Sequence, residues 1–319
     1  MGGVFVLARI KAVKADHSWE SALGRFLEYK RAESLAEQTQ NDYTQHVSRF
    51  MKRYPNAWST SDRLAEAAFE YLAEDIAPST YNNRLVYLRT FFNWCVERGI
   101  IGSNPIANIK KRKADPRIVN IDEKILRELL KLPDQDKYTG LRDYCLILIT
   151  LDCGIRPSEA FRLLPVDFRE KAAEICIPAK IAKARKSRTL PLSGMTVRAI
   201  RKLLLARPDE WGPDTPIFCT YEGRQMNRHT WGDRLELYSE QLGFRIRPYD
   251  LRHAFSLEYI RSGAGAFGLQ KMLGHGGMEM TRRYVALANE DLKVEHAKAS
   301  PLNKLAAVTK RNTIIKKRK

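Results

Sequence analysis

Apolar residues recur at intervals of three and four through the first hundred positions, predicting four amphipathic helices at 17–34, 38–53, 61–75 and 79–98. In the last of these Leu85, Leu88, Phe91, Phe92 and Cys95 share a face, and Tyr87 and Trp94 widen the stripe. Ser61 and Ser79 are the expected N-caps, and Gly99 the expected stop. Such a stripe reads as the core of a small helical bundle rather than as a set of base-stacking rings.

The pattern changes after "GSNPIANI". Pro105 and Pro116 bracket a basic run, "KKRKADPR", that reads as an interdomain linker over 109–118. Its Lys110, Lys111, Arg112 and Lys113 are either solvated charges or a strap across a phosphate backbone. From 119 the periodicity is mixed. Helices are expected at 122–132 and 138–153, with another opening near Pro157. "AEICIPAK" and "KSRTLPL" read as two short strands joined by a basic turn. Further helices are expected at 193–206, 227–241, 250–262, 266–273, 278–287 and 290–299, ahead of a basic tail, 301–319, that needs no fixed structure. The fold class is therefore mainly α with a small antiparallel β-sheet: a helical bundle over 1–108 and a mixed α/β domain over 119–300.

Composition narrows the classes. The 319 residues are 44% apolar, enough for about two domains with real cores. The longest candidate span, "CLILITL", is too short to cross a bilayer, and the first residues lack a secretory pattern, so a cytoplasmic protein is expected. Cys95, Cys145, Cys153, Cys176 and Cys219 are scattered and odd in number, which suggests neither a disulfide framework nor a zinc site. The net charge of +18 points to a polyanion partner, nucleic acid foremost. Residues 1–108 hold 13 Lys and Arg against 12 Asp and Glu, so nearly all the excess lies beyond them.

Four separated pieces of the second domain carry candidate chemistry. In "DCGIRPSEAFRLL" Arg156 precedes a helix-opening proline, and Glu159 lies one turn on, close enough to hold the guanidinium. "AKARKSRTLPL" puts Lys183, Arg185, Lys186 and Arg188 around a hairpin tip, a cluster that by itself reads as solvent-exposed. "RPYDLRHAF" sets Tyr249 and Arg252 three apart on one helix face. "LGHGGMEMTRRY" places His275 nine positions before Tyr284, with the pair Arg282 and Arg283 open to either backbone contacts or solvent.

Together, in this order, the four pieces resemble the tyrosine recombinases, the phage-integrase family of site-specific DNA recombinases. "LGHGGMEMTRRY" is similar to the family's LGH-threonine-tyrosine stretch and "YDLRHAF" to its DLRH box, over a resemblance spanning about residues 17–300. It implies a SAM-like core-binding bundle, a linker and a catalytic domain. It implies that Tyr284 is the nucleophile, forming a 3′-phosphotyrosyl link and freeing a 5′-hydroxyl. Arg156 and Arg252 are implied to grip the non-bridging oxygens, as planar, always-charged forks suit a phosphodiester gathering charge. Lys183 is implied to protonate the departing oxygen, with Lys180 and Lys186 as fallbacks; His275 to bond the phosphate region; Glu159 to support Arg156; and Arg185 and Lys186 to contact DNA. No metal or cofactor is implied.

One position departs from the family pattern: Tyr249 stands where histidine is commonest, and a neutral phenol can donate to a phosphate oxygen but accepts protons poorly. His253, pointing about 100° from Arg252, is read as packing. The resemblance further implies a homotetramer on paired inverted-repeat core sites, a Holliday-junction intermediate and a place at the nucleoid. The short stretch ahead of the first helix suits a compact two-domain integrase or transposase of a mobile element, with an Xer-type dimer resolvase as the alternative. An inactive DNA-binding relative and a relaxing topoisomerase are the remaining readings.

Overall fold

The computed structural model describes residues 18–114, 119–288, 296 and 299–302. The expected helix at 290–299 and the tail lie almost wholly outside them. The chain divides into two compact units at Pro116/Arg117.

The first unit is built from α1 (Trp19–Ala32), α2 (Glu37–Arg53), α3 (Ser61–Ala73) and α4 (Pro78–Glu97). Phe26, Val47, Phe50, Leu85, Leu88, Phe91 and Phe92 have no exposed surface and form its core. Phe26 meets Tyr43, Phe91 and Trp94 edge to face, a geometry that adds to area burial. The caps differ from expectation by one or two residues. Thr60, not Ser61, accepts from the Arg63 N–H, and Pro78 opens α4 after Ala77, which leaves Ser79 inside the first turn. Proline's fixed φ and missing N–H suit that first position. Arg112 lies with its guanidinium 3.9 Å from the Tyr81 ring centre and exchanges backbone bonds with the Asn82 amide. Lys110, Lys111 and Lys113 are exposed.

The second unit runs α5 (Glu123–Leu129), α6 (Tyr138–Cys153), α7 (Pro157–Ala160), β1 (Phe168–Arg169), β2 (Glu174–Ile177), β3 (Arg188–Pro191), α8 (Gly194–Leu205), α9 (Arg228–Leu242), α10 (Pro248–Arg261), α11 (Ala266–Leu273) and α12 (Met278–Ala288). The strands form an antiparallel sheet in chain order, with Cys176 opposite Thr189. The apolar run 145–149 is buried throughout, so α6 is the central helix, with α8 and α10 packed on it. α5 stops at Leu129, short of the expected 132. Among the described residues no helix is long and apolar enough to cross a membrane.

α6 ends at Gly154, whose φ of +62° and whose nearest neighbour, a Phe255 ring carbon 2.3 Å from where a Cβ would stand, both require glycine. That close approach lays α10 against the end of α6. A separate apolar cluster, Phe255, Leu257, Leu269, Leu273 and Tyr284, joins α10, α11 and α12.

Candidate active site

The end of α11 organises the site. The last carbonyls of a helix have no partner within it and carry the negative end of its dipole. Three arginines from elsewhere in the chain take them: Arg188 Nε donates to Met272 O at 3.1 Å, Arg252 Nη2 to Leu273 O at 2.9 Å and Arg156 Nη2 to Gly274 O at 3.2 Å. Arg252 Nη1 also donates to the Gly154 carbonyl. Gly274 sits at φ +60° with the Arg188 guanidinium about 3.1 Å from a would-be Cβ, so the turn after α11 depends on it.

Glu159, with no exposed surface, is the carboxylate among these cations. It takes Arg156 Nη1 at 3.1 Å and Arg188 Nη2 at 2.6 Å, and its Oε1 accepts the Lys183 backbone N–H at 3.3 Å. Burial works to raise its pKa, but Arg188 and then Arg156 hold it below the usual carboxylate range. The same carboxylate thus fixes two guanidiniums and tethers the base of the hairpin loop that carries Lys183. Burial, and then the charge of Arg156, bring Arg252 down to about 9, which leaves it cationic at neutral pH.

Above the arginines opens a cleft of about 440 Å³, lined among others by Arg156, Lys183, Tyr249, Arg252, His275 and Tyr284. The structure therefore brings together all six residues singled out as catalytic. His275 Nε2 lies 3.2 Å from Arg252 Nη2. A guanidinium only donates, so Nε2 accepts, and Nδ1 carries the hydrogen to Thr281 Oγ1 at 3.1 Å. Burial, and then Arg252, push this imidazole down to about 4. Tyr249, in the first turn of α10, is 38% exposed. Arg185 and Lys186 lie exposed on the hairpin loop, with Arg185 at φ +52°. Among the described residues no three His, Cys, Asp or Glu side chains are grouped to hold a metal.

Tyr284 is 2% exposed, and burial raises its pKa against the pull of Arg252. Its Oη lies 2.8 Å from His253 Nδ1. That contact corrects the reading of His253 as mere packing. The residue does point away from Arg252 along α10, but α12 packs on that side and brings the phenol to it. Arg188 was also passed over as a site residue. Its only sequence signal was a charge at the start of a strand, and its partner, Glu159, lies 29 positions away.

Two guanidiniums, Arg156 and Arg252, a loop lysine and the Tyr284 phenol line one open cleft, and the buried Glu159 holds Arg156 and Arg188 beneath it, an arrangement suited to an anion. Residues 120–291, more than half of the chain, match the phage integrase family. The chain belongs to that family, the tyrosine recombinases, which cut and rejoin DNA. It is 27% identical to tyrosine recombinase XerC of Vibrio vulnificus (strain YJ016), over 88% of this chain and 90% of that one. It is 28% identical to tyrosine recombinase XerD of Pseudomonas aeruginosa, over 88% and 97%. A Tn1549 transposon integrase solved with transposon right end DNA shares the fold at a TM-score of 0.66, with 17% identity, 89% of this chain and 99% of that chain covered. XerH recombinase in its post-cleavage complex superposes at 0.64 with 20% identity, 90% and 85% covered.

Proposed function

We propose that this chain recombines DNA at a defined inverted-repeat core site by attack of Tyr284 on a scissile phosphate, and that it does so as a homotetramer on paired sites. The observation that carries the reading is the convergence of Arg156, Arg188 and Arg252 on one end of α11 beside Tyr284. Arg156 and Arg252 take the non-bridging oxygens, where charge grows as phosphorus becomes five-coordinate. Lys183 protonates the departing 5′-oxygen, His275 orients the phosphate region through its bond with Arg252, and Tyr249 donates only. The phosphotyrosyl ester keeps the energy of the broken bond, so a 5′-hydroxyl from a partner duplex reverses the step through a Holliday junction.

The basic residues of 110–113 and the hairpin's Arg185 and Lys186 neutralise flanking phosphates, which makes binding steeply salt-dependent. The two units, divided at Pro116/Arg117, serve as core-site binding and catalytic domains. Integration and excision of a mobile element is the role we favour, working at the nucleoid. The extended match to XerC and XerD favours dimer resolution as the second reading.

A nicked suicide duplex tests the chemistry. The parent is expected to form a covalent adduct that resists denaturation, and Tyr284→Phe none. No adduct with the parent on any site flanking its gene sinks the reading. Recombination of chromosomal dimers in cells, rather than of an element's ends, would select the second role.

A further inference from the structure

We infer that His253 takes the phenolic proton of Tyr284 as the nucleophile attacks, so that the base for cleavage stands one residue after Arg252 rather than at Tyr249. The inference rests on Tyr284 being the nucleophile. The geometry is direct: Nδ1 of His253 on α10 lies 2.8 Å from Oη of Tyr284 on α12, within the reach that proton transfer needs.

The other groups lining the cleft are unsuited to the task. His275 has Nε2 engaged by Arg252 and Nδ1 by Thr281. Lys183 and the arginines are hydrogen-bond donors with no acceptor to offer. Tyr249 is itself a phenol, a hydrogen-bond donor rather than a base of the imidazole kind.

Two further observations fit. Burial, with Arg252 adding to it and Asp250 opposing, lowers the His253 pKa, which leaves the ring neutral and able to accept at pH 7. Burial also raises the pKa of Tyr284, so its phenol gives up a proton less readily without an acceptor. The charged and titratable groups around the ring are Asp250 and Arg252 on its own helix and Tyr284 on α12.

The step balances. As the Oη–P bond forms and the P–O5′ bond breaks, the phenolic proton passes to His253 Nδ1 and Lys183 gives one to the departing 5′-oxygen. On rejoining, a 5′-hydroxyl attacks and gives its proton to Lys183, while the imidazolium returns one to the Tyr284 oxygen as the phosphotyrosyl bond breaks. No proton is gained or lost over the cycle.

The test measures single-turnover adduct formation by the full chain on a nicked duplex from about pH 6 to about pH 9. His253→Asn places an amide where Nδ1 stands and keeps a hydrogen bond to Oη, but cannot take a proton. It is expected to lose about 100-fold near neutral pH, with the deficit narrowing about tenfold per pH unit as hydroxide replaces the base. His253→Gln follows the same profile, and both variants bind the duplex like the parent. A 5′-bridging sulfur, which leaves without protonation, restores Lys183→Ala and leaves His253→Asn impaired.

A His253→Asn rate equal to the parent's, a deficit that stays constant with pH, or restoration by the sulfur leaving group overturns the assignment. An adduct that survives in Tyr284→Phe instead overturns the choice of nucleophile and leaves a different signature.

Discussion

Asp143 and Glu159 are both carboxylates without exposed surface, and each sits among guanidiniums in the same unit, but their surroundings are balanced differently. Asp143 takes Arg142 through Nε and Nη2 at 3.0 and 2.7 Å. Its other oxygen takes Arg234 at 2.6 Å and the Tyr238 hydroxyl at 2.8 Å. The remaining Arg142 donor goes to the Cys219 carbonyl at 3.0 Å. The network closes on itself and fastens α6 to α9. Around Glu159 stand three guanidiniums, and the end of α11 supplies partial charges rather than a second carboxylate. The surplus of positive charge is therefore larger than around Asp143, and through Arg156 and Arg252 it faces the cleft. A buried ion network that is satisfied holds a fold together, whereas one with an excess of one sign is suited to a ligand of the other.

Substituting one residue in each network separates the two roles most sharply. Arg252→Lys keeps a charge but loses the fork that spans Gly154 O and Leu273 O, and under the proposed mechanism its cleavage is expected to fall by about 100- to 1,000-fold. Asp143→Ala leaves two guanidiniums without their carboxylate, one of them buried, and is expected to cost about 3 kcal/mol, or roughly 6–12 °C in melting temperature. Its cleavage rate below that temperature is expected to stay near the parent's. If Asp143→Ala lost cleavage at a temperature where it remains folded, the division between a structural and a reactive network would break.

Most of the architecture was legible in the sequence because helices of this length announce themselves by periodicity. The two strands were legible from β-branched and apolar residues on either side of a basic turn. What escaped was set by contacts between distant positions. The N-cap of α3 differs by one residue from expectation, although the helix begins at Ser61 as expected, because Thr60 and Ser61 are both good caps and only backbone geometry chooses between them. Arg188 and His253 escaped for a different reason. Each is defined by a partner on another element, Glu159 for one and Tyr284, 31 positions on, for the other. No spacing rule along α10 reports which helix packs on the side that His253 faces. Of the residues found by motif, Arg156 and His275 sit just after the glycine turns at Gly154 and Gly274, where local signals are dense, whereas Arg252 and Tyr284 lie inside α10 and α12.

The surplus of charge around Glu159 predicts a smaller, thermodynamic effect. Inorganic phosphate binding in the cleft stabilises the folded chain by mass action, about 1.4 kcal/mol at tenfold over its dissociation constant, or roughly 3–5 °C. Measured against chloride at matched ionic strength, the increase is expected to vanish in Arg156→Ala/Arg252→Ala and to persist in Asp143→Ala. An equal rise in the double variant would mean that phosphate acts through general exclusion from the surface, and the contrast between the two networks would lose its meaning.

The smallest effect concerns His275, which feels the same surplus. Its pKa lies near 4 in the folded chain because of burial and then Arg252, Arg156 and Arg188, against about 6.5 in an unfolded one. A folded-state value below the unfolded one means that the unfolded chain binds the proton first as pH falls. Stability attributable to this ring is thus complete above about pH 6.5 and drains away between there and about pH 4. Water reaches the half-buried ring and screens part of the repulsion, so His275→Gln is expected to flatten the acid limb of the melting curve by only roughly 2 °C. Phosphate sharpens the point. An anion seated among the arginines offsets the charges that hold the imidazole down, raises its pKa and shrinks the acid loss in the parent, while leaving the His275→Gln curve without that pH-dependent gain. An acid limb insensitive to phosphate would show that burial alone sets the state of this ring, and that the guanidinium surplus does not reach it.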